Sequence, residues 1–281
     1  MASVSNPTLR RRELGVRLRE HRTRAGLTVD QVAERLMSST SKISRMETAQ
    51  RAVSARDVRD LCDIYEVDPL ERERLLTLVR ESKQRGWWHN YEDLGTGIDK
   101  LIGLQDAAVE IKDYESCIVP SLLQTETYAR AAIRGILPEI SDAVLEERVE
   151  ARLLRQKLLL KDDAPRFWAL LDESVLHRHI GGIDGMKAQL ERVLELGSLP
   201  NVTIQVIPYR VGAHPGLDST FVFMRFAEVS PIIFVEGLVG YIFLDRESDI
   251  SRYQEALTHL HSAALNPADS LDFISSAAHQ L

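Results

Sequence analysis

The side chains best suited to chemistry in this 281-residue sequence cluster between Thr28 and Arg51. Thr40, Ser41, Lys42, Ser44 and Arg45 are hydroxyl-bearing or cationic, and Ile43 and Met46 are interleaved among them. At helical spacing the two apolar residues take one side and the polar ones the other. Such a polar side matches base edges in the major groove of double-stranded DNA and the phosphates beside them. Ser41, Lys42 and Arg45 face away from Ile43 and Met46 and are the candidate base readers. Arginine there can donate two hydrogen bonds to a guanine edge, roughly 1–3 kcal/mol of discrimination. Ser39 heads this helix and is grouped with the DNA-facing residues. Thr28, at the start of the preceding helix, is placed for a phosphate, and Arg51, in the loop that follows, for the DNA backbone.

Other suggestive residues have plainer accounts. His177, Arg178 and His179 form an HxH, but a metal site needs three or four ligands and no second Cys/His pair has the spacing. His214, Asp218 and Ser219 lie in GAHPGLDST, which the turn chemistry of Pro215-Gly216 explains. Asp172 and Glu173 follow an apolar strand and suit a helix cap. GLVGYIF lacks the spacing of a phosphate-binding loop. The expectation is no enzyme, no catalytic residue, no cofactor and no metal. Trp87, Trp88, Tyr114 and Glu115 are the candidate ligand- or partner-binding residues, with Glu236 and Tyr241 as further pocket lining. The tryptophan pair equally suits closing a core.

These groups need elements to hold them. An all-α domain of five helices is expected over residues 8–82: Leu9–Ala25 ending near Gly26, Val29–Met37 after Thr28, Thr40–Thr48 after Ser39, one after Ser54, and one from Pro69 after Asp68. Leu14, Leu18, Val32, Ala33, Leu36, Ile43, Met46, Val58, Leu61, Cys62, Tyr65, Leu75, Leu76 and Val79 recur at spacings of three and four, as in one core. Residues 1–7 are small and polar and are expected to be a disordered tail. The periodicity gives way near Ser82–Arg85, which sets a second domain at 83–281.

There, helices are expected over Ile98–Ala108, Gln124–Gly135, Asp142–Lys161, Met186–Gly197, Arg246–Ala264 and Ala268–Ala278. Strands are expected over Val109–Glu115, Phe167–Asp172, Val202–Pro208, Thr220–Phe226, Ile232–Glu236 and Tyr241–Leu244. TFVFMRF and PIIFVEG have the form of a hairpin. With no regular βαβ alternation, an α+β domain with a mostly antiparallel sheet is expected.

The net charge of −7 hides an asymmetry. Residues 1–60 hold 13 Lys+Arg against 7 Asp+Glu, so a basic module precedes an acidic body. No apolar run suits a membrane span, and the basic start is not followed by the apolar stretch of a secretory signal. Cys62 and Cys117, far apart in sequence, suit a reducing, cytoplasmic setting.

Leu14-Gly15, Leu18-Arg19, Arg22, Gly26-Leu27-Thr28, Val32-Ala33, Leu36, Ser39 and Ile43-Ser44-Arg45-Met46-Glu47 carry a resemblance to the XRE family of lambda-repressor-like helix-turn-helix regulators. The resemblance implies a five-helix domain that binds operator half-sites as a dimer. Val29 stands where Gln is usual, Met37 where the turn usually has Gly, and His21 at a normally apolar position. GWWHNYEDL, YESCIVPSLLQTETYARA, RLLRQKLL, FWALLDESVLHRHIGG and VTIQVIPYRVGAHPGLDSTFVF resemble the C-terminal domain of actinobacterial WhiJ-like regulators, several of them toxin–antitoxin-like. That implies a regulatory or interaction domain, and the expectation for it is that it dimerises and senses a small acidic partner protein or a small-molecule effector. The expectation is a homodimeric transcription regulator. The alternatives are an antitoxin-like partner binder with autoregulatory DNA binding, and an enzyme with a C-terminal site.

Overall fold

Asn6 and Pro7 start the first helix. The Asn6 side chain accepts from the Leu9 amide, and Pro7, with no N–H to leave unpaired, stands in the first turn of α1 (Pro7–Arg24). The expected tail 1–7 is thereby corrected at Asn6 and Pro7; residues 1–5 lie outside the described part. The computed structural model describes residues 6–91, 94, 97–238 and 240–281. The chain divides into two units, Met1–His89 and Asn90–Leu281, later than the boundary at 82/83 read from periodicity.

In the first unit α1 is followed by α2 (Val29–Arg35), α3 (Thr40–Glu47), α4 (Ala55–Ile64) and α5 (Pro69–Glu81). Thr28, Ser39, Ser54 and Asp68 cap them through side-chain oxygens that accept backbone N–H groups, each cap where the sequence placed it. Leu14, Leu18, Val32, Ile43, Met46, Leu61 and Leu75 are buried in one core. Each fully buried aliphatic side chain contributes about 1.5–3 kcal/mol. Gly15 lets α1 approach α3 closely: a β-carbon there would lie 2.6 Å from the Glu47 carbonyl oxygen.

The second unit runs α6 (Ile98–Ala107), β1 (Glu110–Glu115), α7 (Glu126–Ile136), α8 (Asp142–Gln156), β2 (Arg166–Asp172), α9 (Ser174–His177), α10 (Gly182–Gly197), β3 (Val202–Ile207), β4 (Phe221–Arg225), β5 (Ile232–Gly237), β6 (Gly240–Leu244), α11 (Glu247–Ala263) and α12 (Pro267–His279). The six strands form one sheet in the order β3-β2-β1-β4-β5-β6. The expected mostly antiparallel sheet is corrected here, because the sheet is mixed. β1, β2 and β3 are parallel, while β4 runs antiparallel to β1, β5 to β4 and β6 to β5. The reason lies in the connections. Helices α7 and α8 separate β1 from β2, and α9 and α10 separate β2 from β3, long enough for parallel crossovers. From β4 onward the short turns allow only hairpins, including the one expected between β4 and β5.

Alternation along the strands divides the sheet into two faces. Tyr114, Leu170, Ile207, Phe221, Phe223 and Ile233 pack on one face against Ile250, Leu257 and Leu260 of α11. Ile111, Asp113 and Glu115 point to the other. There α10 comes so near Ile204 that a β-carbon on Gly197 would stand 3.2 Å from its side chain.

Candidate nucleic-acid interface

The two helices that meet at the turn are held by local hydrogen bonds. Thr28 and Gln31 cap each other reciprocally, the Thr28 hydroxyl accepting from the Gln31 amide at 3.2 Å and the Gln31 side chain accepting from the Thr28 amide at 2.9 Å. The turn after α2 closes with the Ser38 amide donating to the Ala33 carbonyl at 2.8 Å, which puts Met37 in the left-handed region at φ +48°. Met37 therefore keeps the turn conformation that glycine would favour, and its side chain projects into solvent. The Ser39 hydroxyl accepts from the Lys42 amide at 3.1 Å and starts α3.

On α3, Ile43 and Met46 are buried, while Thr40, Ser41, Ser44 and Arg45 are exposed. Among the described residues the Arg45 side chain makes no hydrogen bond or ion pair. Its carbonyl accepts from the amide of Arg51, whose side chain is also exposed. Thr28 and Ser39 are exposed too, so each residue of the expected DNA-facing set except Lys42 presents an open side chain.

Lys42 departs from the expectation of a free base reader. Its ammonium donates to Asp57 at 2.8 Å, and the side chain is half-buried against α4. Asp57 also accepts from the Ser54 amide and hydroxyl. Burial alone would raise its carboxyl, but the hydrogen bonds from Lys42 and Ser54 outweigh burial and hold it below the usual value. A short polar helix read from sequence shows which side Lys42 is on, not that an acid on the next helix waits there.

Two further arginines of α1, Arg17 and Arg22, are tied into the fold rather than free for DNA. Arg22 forks onto Glu47 at 2.6 and 3.0 Å and donates to the Leu27 carbonyl at 2.8 Å, tying α1 to the end of α3. Arg17 bridges Glu13 and Glu71. His21, at its normally apolar position, lies 3.5 Å from the same Glu71.

The remaining expected site residues are scattered. Trp88 is buried, its indole N–H without a partner among the described residues, and Trp87 packs edge-on to it at 5.9 Å. Tyr114 is not pocket lining: it is fully buried against Phe221, His214 and Gly216, and burial pushes its hydroxyl up. Glu115, next in the strand, faces the opposite side of the sheet, so the structure does not bring the pair together. Its carboxyl is raised well above its usual range by burial and then by Asp113.

Residues 98–276, more than half of the chain, match the domain of unknown function DUF5753. The chain belongs to the DUF5753 family. Ahead of the DUF5753 domain, residues 13–75 match a helix-turn-helix domain and contain α2, the turn and α3. Comparison with curated proteins and with solved structures finds no match. Among the described residues no helix is long and apolar enough to cross a membrane, and no group of three His, Cys, Asp or Glu is placed to hold a metal ion.

The DUF5753 domain also pairs two residues that sequence spacing kept apart. At the carboxyl end of β2, Asp172 accepts from the Ser174 amide with one oxygen and lies 3.3 Å from His214 Nε2 with the other. The Gly216 amide donates to His214 Nδ1 at 3.3 Å. Both imidazole nitrogens therefore have a partner, and the pair pins the GAHPGLDST loop. Nothing in the local pattern around either residue points to the other.

Proposed function

We propose that the protein is a sequence-specific, DNA-binding transcription regulator of the XRE, lambda-repressor-like type. The observation that carries this is the open side of α3: Thr40, Ser41, Ser44 and an unpaired Arg45 exposed on a helix whose opposite side is anchored by Ile43 and Met46. Helix α3 enters the major groove, Arg45 reads a base edge, and Thr28 and Arg51 contact phosphates. The protein acts in the cytoplasm as a homodimer on half-sites about 10 bp apart or a multiple of that. The DUF5753 domain dimerises and senses an effector or partner protein, which alters how well the two recognition helices fit. It catalyses no reaction.

Gel-shift titration on DNA from the protein's own promoter region tests the proposal. Arg45→Ala removes selective retardation, and Arg51→Ala weakens binding to all sequences and lowers the salt slope by about one. Lys42→Ala changes selectivity less, because Asp57 already holds the ammonium. Selectivity undisturbed in Arg45→Ala sinks the assignment of this face.

A further inference from the structure

We propose that the buried cluster of Asp113 and Glu115 on β1 with Arg152 and Arg155 on α8 is a binding site for a small zwitterion bearing a carboxylate and an ammonium group, a free amino acid or close analogue. This rests on the reading that the DUF5753 domain senses an effector, and supplies its place and chemistry.

Asp113 stands in a central strand, with Ala169 and Val222 beside it on the neighbouring strands. It is only 2% exposed. A carboxylate so enclosed normally has a partner on each oxygen. Among the described residues, Asp113 Oδ1 is sealed from solvent and accepts no hydrogen bond. Glu115, two residues on, shares its face of the sheet.

Near them stand Arg152 and Arg155, three residues apart on α8 and so on one side of it. Each donates to one neutral group, while the charge of Glu236 acts on both and that of Glu115 on Arg152. Arg152 donates to Gln124 Oε1 at 2.8 Å and Arg155 to the Ser121 hydroxyl. Gln156 holds the Ser121–Gln124 segment in place by donating to both of those residues' carbonyls. Among the described residues the buried Nε of Arg155 has no hydrogen-bond partner.

The acidic and basic groups are thus near one another without pairing. Asp113 and Arg155 are near enough for their charges to interact, yet they form no ion pair within 4.0 Å. Burial dominates all four groups: it pushes Asp113 up to about 7 and Glu115 well above its usual range, and draws Arg152 and Arg155 down to about 10. An anion would pair with the guanidiniums but add charge beside Asp113, Glu115 and Glu236, and a cation would pair with the carboxylates but leave the arginine fork unfilled. A ligand carrying both charges, its carboxylate on the arginine fork and its ammonium on Asp113 and Glu115, pairs with both sets.

Thermal melts and calorimetry on the full-length protein with each free protein amino acid, at millimolar concentration, test this. Acetate and ethylammonium serve as single-charge probes. At least one amino acid raises the melting temperature by several degrees, and neither single-charge probe does. Glu115→Gln, at a half-buried position, weakens that binding at least tenfold. Without ligand, at pH 8, Asp113→Asn melts higher than the parent and no longer responds to amino acids, because it lacks the uncompensated charge. The proposal is overturned if no amino acid binds, if acetate or ethylammonium stabilises as well as the zwitterion, or if Asp113→Asn melts at or below the parent temperature. Amino-acid binding that leaves operator affinity unchanged upholds the site and removes the sensing role from the regulatory reading.

Discussion

Replacing Met37 by glycine should stabilise the helix-turn-helix unit, although it deletes a large apolar side chain. Met37 holds φ +48° in the turn that ends α2, the position Gly26 occupies at φ +69° at the end of α1. In both turns the residue after it donates back to a carbonyl five residues earlier, Leu27 to Arg22 and Ser38 to Ala33. A β-carbon in the left-handed region costs roughly 1–2 kcal/mol. Glycine relieves that and loses about 0.5–1 kcal/mol through the greater freedom of its unfolded chain. The Met37 side chain is 95% exposed, so almost no burial is forfeited. The net gain is about 0.5–1 kcal/mol, and in a domain of this size each kcal/mol moves the melting temperature by roughly 4–8 °C. Thermal unfolding followed by tryptophan fluorescence reads it, since Trp87 and Trp88 both lie in this unit. Met37→Ala keeps the β-carbon and is the reference. A glycine variant no more stable than the alanine variant refutes backbone strain at the turn.

Arg22→Met alone should destabilise the first unit by about 3–5 kcal/mol, because it strands the Glu47 carboxylate in the core; pairing it with Glu47→Leu should recover most of the loss in urea unfolding. If the double variant is as unstable as the single, the ion pair is not the cause. The second unit should lose stability as pH rises through about 7. Asp113 is raised from 3.8 to about 7, so the folded state binds the extra proton, and that contribution, complete below 3.8, is gone above 7. His261 acts oppositely: burial lowers it from 6.5 to about 4, so its contribution is present above 6.5 and is lost as pH falls through 4. Glu115, raised well above its usual range by burial, acts in the same direction as Asp113, so between pH 6.5 and 7, clear of the His261 range, the combined Asp113→Asn and Glu115→Gln variant should lose the slope; a slope that persists places the proton elsewhere.

How far each residue was legible depended on the range of the interaction that defines it. Helix caps and strand spans are local. A serine three residues before an amide, or apolar residues at spacing two or four, have their partners within one turn or one strand, and Thr28, Ser39, Ser54, Asp68 and all six strands stand where composition put them. The helix-turn-helix was legible for the same reason, since α2, the turn and α3 are contiguous. Pairings across many residues were not. Lys42 with Asp57, Arg22 with Glu47 and His214 with Asp172 join side chains that only packing brings within hydrogen-bond reach. Strand direction belongs with them, because a connection long enough for a crossover does not say which neighbour the strand will take. The sequence by itself determined a basic helical module with one polar recognition side, followed by an acidic α+β body. Tertiary structure alone decided that Arg45 rather than Lys42 is left free, that Tyr114 belongs to the core while Glu115 faces away from it, and that Asp113 and Arg155 end up buried, near and unjoined.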